Sequence, residues 1–182
     1  MEQLKLFSVS DAYIKYLRKK YPNVYSNKIG ERNHTRKYIG AVMEINNFKY
    51  YVPLSSPKDS DYEIINEEKV IRKSTLTIIR ITEIDGVKEE LKGTLRISHM
   101  IPVLDSELEI YDVDAELDST YKDLVQKELI FIRKNAKKII TNAKIVYKQK
   151  EQNIQKGYIK SSLDFKGLEK MAKQWDNNQD NF

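Results

Sequence analysis

Tyr38-Ile-Gly-Ala-Val-Met-Glu-Ile-Asn-Asn-Phe-Lys-Tyr-Tyr-Val-Pro-Leu-Ser-Ser-Pro-Lys58 reads as a hairpin that ends in chemistry. Two apolar, β-rich runs flank Asn46-Asn47, and asparagine tolerates the positive φ that a two-residue hairpin turn demands. The second run leads into Ser55-Ser56-Pro57-Lys58. A residue before proline is pushed out of the helical region. Ser56 is therefore expected in extended backbone at the strand's end, with Pro57 fixing the turn that presents Lys58. Two hydroxyls and an ammonium gathered this closely suit a phosphate-like anion, because hydroxyls and backbone N–H groups donate while Lys supplies charge without a fixed geometry. The competing reading is a plain turn, since Ser and Pro are ordinary turn residues.

Upstream, Leu4 to Phe7 alternates as a short strand, and Ser8 with Asp11 gives a capping-box-like start to a helix. Tyr13, Ile14, Leu17 and Tyr21 share one face of that helix, Lys15, Arg18, Lys19 and Lys20 lie outside it, and Pro22 stops it. From Asn23 to Lys37 no period survives. A connection of this length in a compact domain is functional or disordered, and this one carries Arg32, His34, Arg36 and Lys37 into the hairpin. Downstream, Asp59-Ser-Asp-Tyr-Glu63 reads as a solvated loop, because the glycine and distal glutamate of a calcium loop are missing. Thr75 to Thr82 is a strand, Asp85-Gly86 a turn, and Gly93 to Ile97 pairs back; Met100 to Val103 and Leu108 to Tyr111 add short strands. The connections are too short for repeated crossovers, so the sheet is expected to be antiparallel.

From Asp118 the period changes from two to 3.6. Thr120 with Asp123 caps a long helix whose stripe runs from Tyr121 and Leu124 through Ile132 and Ile139 to Tyr147. Its other face carries Arg133, Lys134, Lys137, Lys138, Lys144, Lys148 and Lys150, with no acidic residue between 133 and 150. An exposed helix ordinarily mixes signs to gain i,i+4 pairs, so this face points to a polyanion. Phe165, Leu168, Met171, Ala172 and Trp175 mark a final amphipathic helix. The expected organisation is a single α+β domain over 1–175 with a polar, frayed tail over 176–182.

The net charge of +5 conceals a segregation. Residues 1–38 hold nine basic and three acidic residues, 59–118 hold seven and sixteen, and 119–182 hold fourteen and seven. If the two basic parts lie side by side they form a positive face for nucleic acid. No cysteine is present, which excludes disulfides, a thiol nucleophile and cysteine-ligated zinc. The N-terminus lacks a signal-peptide pattern and no apolar run reaches bilayer length, so the expected location is the cytoplasm.

Two histidines limit acid–base chemistry at neutral pH. His99, at a strand's end, reads as structural. His34 sits in the basic loop, either as an acid or base or as an ordinary exposed histidine. No Ser-His-acid order, phosphate-cradling glycine loop or metal-ligand cluster appears, and neither metal nor cofactor is expected. Cleaving RNA through its own 2'-hydroxyl needs only in-line geometry, a proton acceptor, a proton donor and positive charge at the phosphorane. Arg36 can grip the phosphate in a bidentate way, and Lys58, crowded by like charge, can exchange protons.

These residues, in this order, resemble a known family. Arg36-Lys37-Tyr38-Ile39-Gly40, the hairpin, Pro53-Leu54-Ser55-Ser56-Pro57-Lys58, Met100-Ile101-Pro102-Val103, Tyr121-Lys122-Asp123-Leu124 with Asn135 and Ala143, and Leu163-Asp164-Phe165 through Leu168-Glu169 to Trp175 are similar to the ToxN/AbiQ toxins of type III toxin–antitoxin systems. The resemblance implies a twisted antiparallel Kid/MazF-like sheet wrapped by helices, and a metal-independent endoribonuclease that cuts A-rich RNA to leave a 2',3'-cyclic phosphate and a 5'-hydroxyl. It further implies inhibition by a repeated, pseudoknotted antitoxin RNA, a ring-like assembly of three toxins and three RNA units, and a role in growth arrest or phage defence. By motif, Ser55, Ser56 and Lys58 are the implied catalytic residues and Arg36 the contact to the scissile phosphate. The family can place a tyrosine four residues ahead of that arginine, where this chain has Arg32; the nearest upstream tyrosine is Tyr25, and Arg32 or His34 is expected to substitute. The antitoxin RNA and target mRNA are expected along Lys19, Lys20, Arg32 and Lys37 and on the Lys134, Lys137, Lys138, Lys144 and Lys148 face. A catalytically silent RNA-binding protein is the alternative; a DNA-binding regulator is disfavoured for want of a recognition-helix unit.

Overall fold

The computed structural model of the protein describes residues 3–31 and 33–179. In chain order the elements are β1 (Lys5–Val9), α1 (Asp11–Lys20), β2 (Tyr38–Ile45), β3 (Phe48–Ser55), β4 (Tyr62–Ile65), β5 (Glu68–Ile71), β6 (Ile78–Asp85) and β7 (Lys88–Arg96). There follow β8 (Ile101–Pro102), β9 (Leu108–Ile110), α2 (Ser119–Lys134), α3 (Ala136–Glu151), α4 (Gly157–Lys160) and α5 (Phe165–Gln179). Seven strands form one antiparallel sheet in the order β6-β7-β3-β2-β1-β9, with β8 also paired to β3. The fold is α+β, as expected.

The β2–β3 hairpin lies at the centre of this sheet. Asn46 and Asn47 take φ of 53° and 64°, the left-handed pair that a primed two-residue turn requires. Tyr50 on β3 and Tyr147 on α3 both donate to Glu169 of α5, at 2.8 and 2.6 Å, and Asn46 Nδ2 donates to the Tyr147 hydroxyl at 3.2 Å. One buried carboxylate thus ties the hairpin to two helices, and each of these polar groups has a partner. α2 packs over β6 and β7, α3 over β2, and α5 over β8 and α1.

Several local expectations change. The cap of α1 is Ser10, whose Oγ accepts from the Tyr13 N–H at 3.3 Å, because Ser8 is taken into β1 opposite Glu109. The stripe read over 120–147 is helical throughout but divided between α2 and α3 at Asn135, which leaves helical backbone while its Nδ2 donates to the Phe131 carbonyl at 2.9 Å. An asparagine that bonds its own helix offers the backbone this alternative. The cap of α2 is Asp118, accepting from the Thr120 and Tyr121 N–H groups at 3.1 Å each, in place of Thr120. A separate β4–β5 hairpin turns at Asn66-Glu67, again at positive φ of 49° and 67°. α5 continues to Gln179, beyond the point at Asp176 where fraying was expected. No helix among the described residues is long and apolar enough to cross a membrane.

Candidate active site

β3 ends at Ser55, paired with Thr94 of β7, so its backbone is fixed by the sheet, its Oγ donates to the Ser56 carbonyl at 3.3 Å, and Ser56, Pro57 and Lys58 step off the edge. Arg36 lies alongside: its Nε donates to the Ser26 carbonyl at 2.9 Å and its Nη1 to the Leu54 carbonyl at 2.8 Å. The guanidinium is thereby held against the end of β3. A cleft of about 630 Å³ opens there, lined by Arg36, Ser55, Ser56, Lys58, Tyr25 and His99 among others.

Tyr25 is the hub of that cleft. Its ring stacks on His99 with centroids 4.6 Å apart, and it lies under the Arg36 guanidinium at 4.7 Å and the Lys58 ammonium at 5.5 Å. Both cations gain from the ring's negative face, and the ring fixes their separation. A tyrosine therefore reaches the site from the loop that precedes the hairpin. The substitutes expected for it behave differently. Arg32 lies outside the described residues, and His34 is turned to a neighbouring cleft, stacked on Tyr121 at 3.6 Å and 3.3 Å from Asp118.

The electrostatics follow from this crowding. Burial first, then Arg96 and Arg36, lower the Lys58 pKa against a partial counter-pull from Asp61. His99 is lowered to about 4, chiefly by burial and then by Arg96, Lys58 and Arg36, so it is neutral at pH 7, with Nδ1 at 2.9 Å from Ser98 Oγ. Asp61, expected in a solvated loop, is instead fully buried at 0% exposure. It pairs with Arg80 and Arg96 at 3.1 Å each and accepts from the Lys58 backbone N–H at 3.0 Å. The buried carboxylate is matched by two guanidiniums, which is what burying a charge requires, and the same group anchors the turn carrying Lys58.

The other sequence candidates are spread out. Lys37 is buried, with Nζ donating to the Thr35 carbonyl at 2.9 Å and lying 4.4 Å from the centre of the Tyr111 ring. Lys19 and Lys20 are exposed in the last turn of α1, next to the Pro22–Ser26 wall of the cleft. Lys134, Lys137, Lys138, Lys144 and Lys148 are exposed at the end of α2 and along α3. Among the described residues no three His, Asp or Glu side chains converge as a cation site would need.

The sequence profile of the family "Toxin ToxN, type III toxin-antitoxin system" matches residues 5–173. The chain belongs to this ToxN family. One ToxN-family relative, the endoribonuclease AbiQ of Lactococcus lactis subsp. lactis, is 35% identical over 169 residues, covering 93% of this chain and 87% of that protein. The solved structure of AbiQ, an anti-phage endoribonuclease of a type III system, superposes with a TM-score of 0.78 at 29% identity over 97% of this chain and 99% of the other. A second solved structure is of a bacterial type III toxin–antitoxin system with selective toxin inhibition by a non-coding RNA pseudoknot. It shares the fold at a TM-score of 0.78 and 24% identity over 96% of this chain and 99% of its own.

Proposed function

We propose that this ToxN-family protein is a metal-independent endoribonuclease toxin whose active centre is the cleft of Arg36, Ser55, Ser56 and Lys58, with Tyr25 beneath the two cations. Kinship makes it an endoribonuclease of a type III toxin–antitoxin system. The convergence of these side chains in one cleft is the observation that supports the site.

In this reading the 2'-oxygen of RNA attacks the adjacent phosphorus, and the bond to the 5'-oxygen breaks. The products are a 2',3'-cyclic phosphate and a 5'-hydroxyl. One proton leaves the 2'-hydroxyl and one reaches the departing 5'-oxygen. Lys58, with its lowered pKa, exchanges a proton on this path, while Arg36 and the serine hydroxyls stabilise the phosphorane's charge. The nucleophile is part of the substrate, so the step requires neither water nor a metal.

The same cleft explains inhibition. A folded antitoxin RNA, a pseudoknot as for the relative, occupies it along the loop before Tyr38 and the Lys134–Lys148 face, closing with two further copies into a ring of three toxins and three RNA units. The setting is cytoplasmic, and the role is growth arrest or phage defence through cutting of A-rich mRNA.

The test is incubation of RNA-stripped protein with A-rich RNA in EDTA, comparing wild type with Lys58→Ala and mapping both product ends. Cyclic-phosphate ends from the wild type, with at least a hundredfold slower cutting by the variant and RNA binding within roughly tenfold, are expected. Tight binding without cutting by either protein identifies an RNA-capture protein instead.

A further inference from the structure

Ser55 and Ser56 line two clefts, not one. Across them from the cationic site lies a smaller cleft of about 310 Å³, walled by Leu54, Leu124 and the stacked His34–Tyr121 pair. Glu128 of α2 lines it. The residue is only 8% exposed, and among the described residues no hydrogen bond or ion pair reaches its carboxyl group. The nearby cations are engaged elsewhere: Lys92 pairs with Glu83 and Glu90 at 3.3 and 2.8 Å, and Lys37 bonds the Thr35 carbonyl. The carboxyl lies close to the serines. A methyl group added at Gly93 would stand 2.4 Å from Glu128 Oε1 and 3.3 Å from the Ser55 carbonyl oxygen.

The residue is nine-tenths buried and its carboxyl has no partner among the described residues, yet the carboxyl oxygens are not sealed in the interior: they open into the cleft, where a donor from outside the chain can meet them. Its position makes sense if a ligand supplies the missing donor. Proteins read RNA from single strands by taking a splayed base between apolar and aromatic walls and bonding its edge, and this cleft has those walls and one polar group.

We infer that the second cleft is a nucleobase subsite, in which Glu128 accepts from the exocyclic amino group of the base flanking the scissile phosphate and discriminates against uracil. This rests on the active centre proposed above. With a phosphate between Arg36 and Lys58, the adjoining nucleoside crosses Ser56 into the smaller cleft. Adenine, cytosine and guanine each offer an amino donor there, whereas uracil presents only carbonyl acceptors on either side of a single ring N–H, and its O4 meets the carboxyl oxygens unfavourably. Glu128 is thus a specificity residue, distinct from the groups that touch the phosphate.

The experiment is cutting of a randomised-sequence RNA by wild type and Glu128→Gln, with every cut site sequenced. Glutamine offers both donor and acceptor, so uracil becomes acceptable. At one position beside the cut, the preference for amino-bearing bases over uracil should fall roughly tenfold or more, while other positions keep theirs. Unchanged preferences at all positions overturn the inference while leaving the nuclease intact. A uniform loss at every site also overturns it, making Glu128 a proton-transfer group. Absence of cutting by the wild type removes the nuclease reading and this inference with it. Should Glu128→Gln fail to fold, Leu124→Trp, one turn before Glu128 on the same face of α2, fills the same cleft, and it is expected to relax the same position; if that preference survives, the subsite is elsewhere.

Discussion

Glu128 and His99 are both buried titratable groups, and burial moves them toward neutrality from opposite sides. Glu128 is raised to about 7 by burial. Below the unfolded value near 4.5 both states are protonated and there is no penalty; between the two values only the unfolded chain ionises, so stability falls as pH rises; above about 7 the penalty is complete. Glu128→Gln should therefore be more stable than wild type at pH 8, by up to about 3 kcal/mol, with the gap closing toward pH 4.5. His99, lowered to about 4, has the reverse sign: the unfolded chain takes up its proton first, so stability is lost as pH falls from 6.5 toward 4. The two trends oppose each other between pH 4.5 and 6.5, and urea denaturation of variant against wild type at several pH values separates them. Asp61 makes a third case. Asp61→Ala leaves Arg80 and Arg96 facing each other in the interior without their carboxylate, and a loss of about 3–5 kcal/mol is expected. The same change frees the Lys58 backbone, so cleavage should drop in whatever fraction stays folded, measured at equal folded concentration. A stability close to wild type would mean that the buried pair is replaceable.

At the level of elements, the β2–β3 hairpin was legible because its signals are local. Alternation, Asn46-Asn47 and the Ser-Pro-Lys exit all sit within 21 consecutive residues. β6, β7 and α5 were legible for the same reason. The partners of the site were not, since each depends on pairing over long separations: Tyr25 meets His99, and Glu128 meets the end of β3, only after the sheet and α2 are assembled. Asp61 looked solvated because its charge partners, Arg80 and Arg96, lie on β6 and β7, which are later in the chain. The break at Asn135 is subtler, because the apolar stripe runs on across it. Gly40 shows what a sequence can state without explaining. A Cβ there would lie 2.2 Å from the ring of Tyr51, which is itself buried edge-on to Phe7 at 5.3 Å. Gly40→Ala should cost about 1–3 kcal/mol by overpacking, seen as a lower denaturation midpoint with an unchanged slope. An unaffected midpoint would show that the Tyr51 ring can move aside at little cost.

For the whole molecule, the question is how much of the charge segregation serves RNA. Part of the acidic segment is consumed internally: Asp61 holds two arginines, and Glu83 pairs with Lys92 and Lys127. Among the described residues, four lysines of α3 enter no ion pair, whereas Lys150 donates to the Ile159 carbonyl at 3.0 Å. Lys137, Lys138, Lys144 and Lys148 are exposed along one helix with no acidic neighbour in its sequence until Glu151. If that face lies on the antitoxin RNA, each lysine that meets a phosphate releases a counterion on binding, and affinity depends on salt in proportion. Replacing all four by alanine should flatten the slope of log affinity against log salt by roughly 3, and the loss should be similar for every RNA sequence, because phosphate contacts carry no base information. Cutting of a short single-stranded substrate, if confined to the two clefts that meet at Ser55 and Ser56, should change little. The measurement is RNA affinity from about 50 to 300 mM salt for both proteins, alongside short-substrate cleavage. A parallel shift with no change in slope would mean that the α3 lysines act only through the long-range field, and an unchanged affinity would place the RNA on another face.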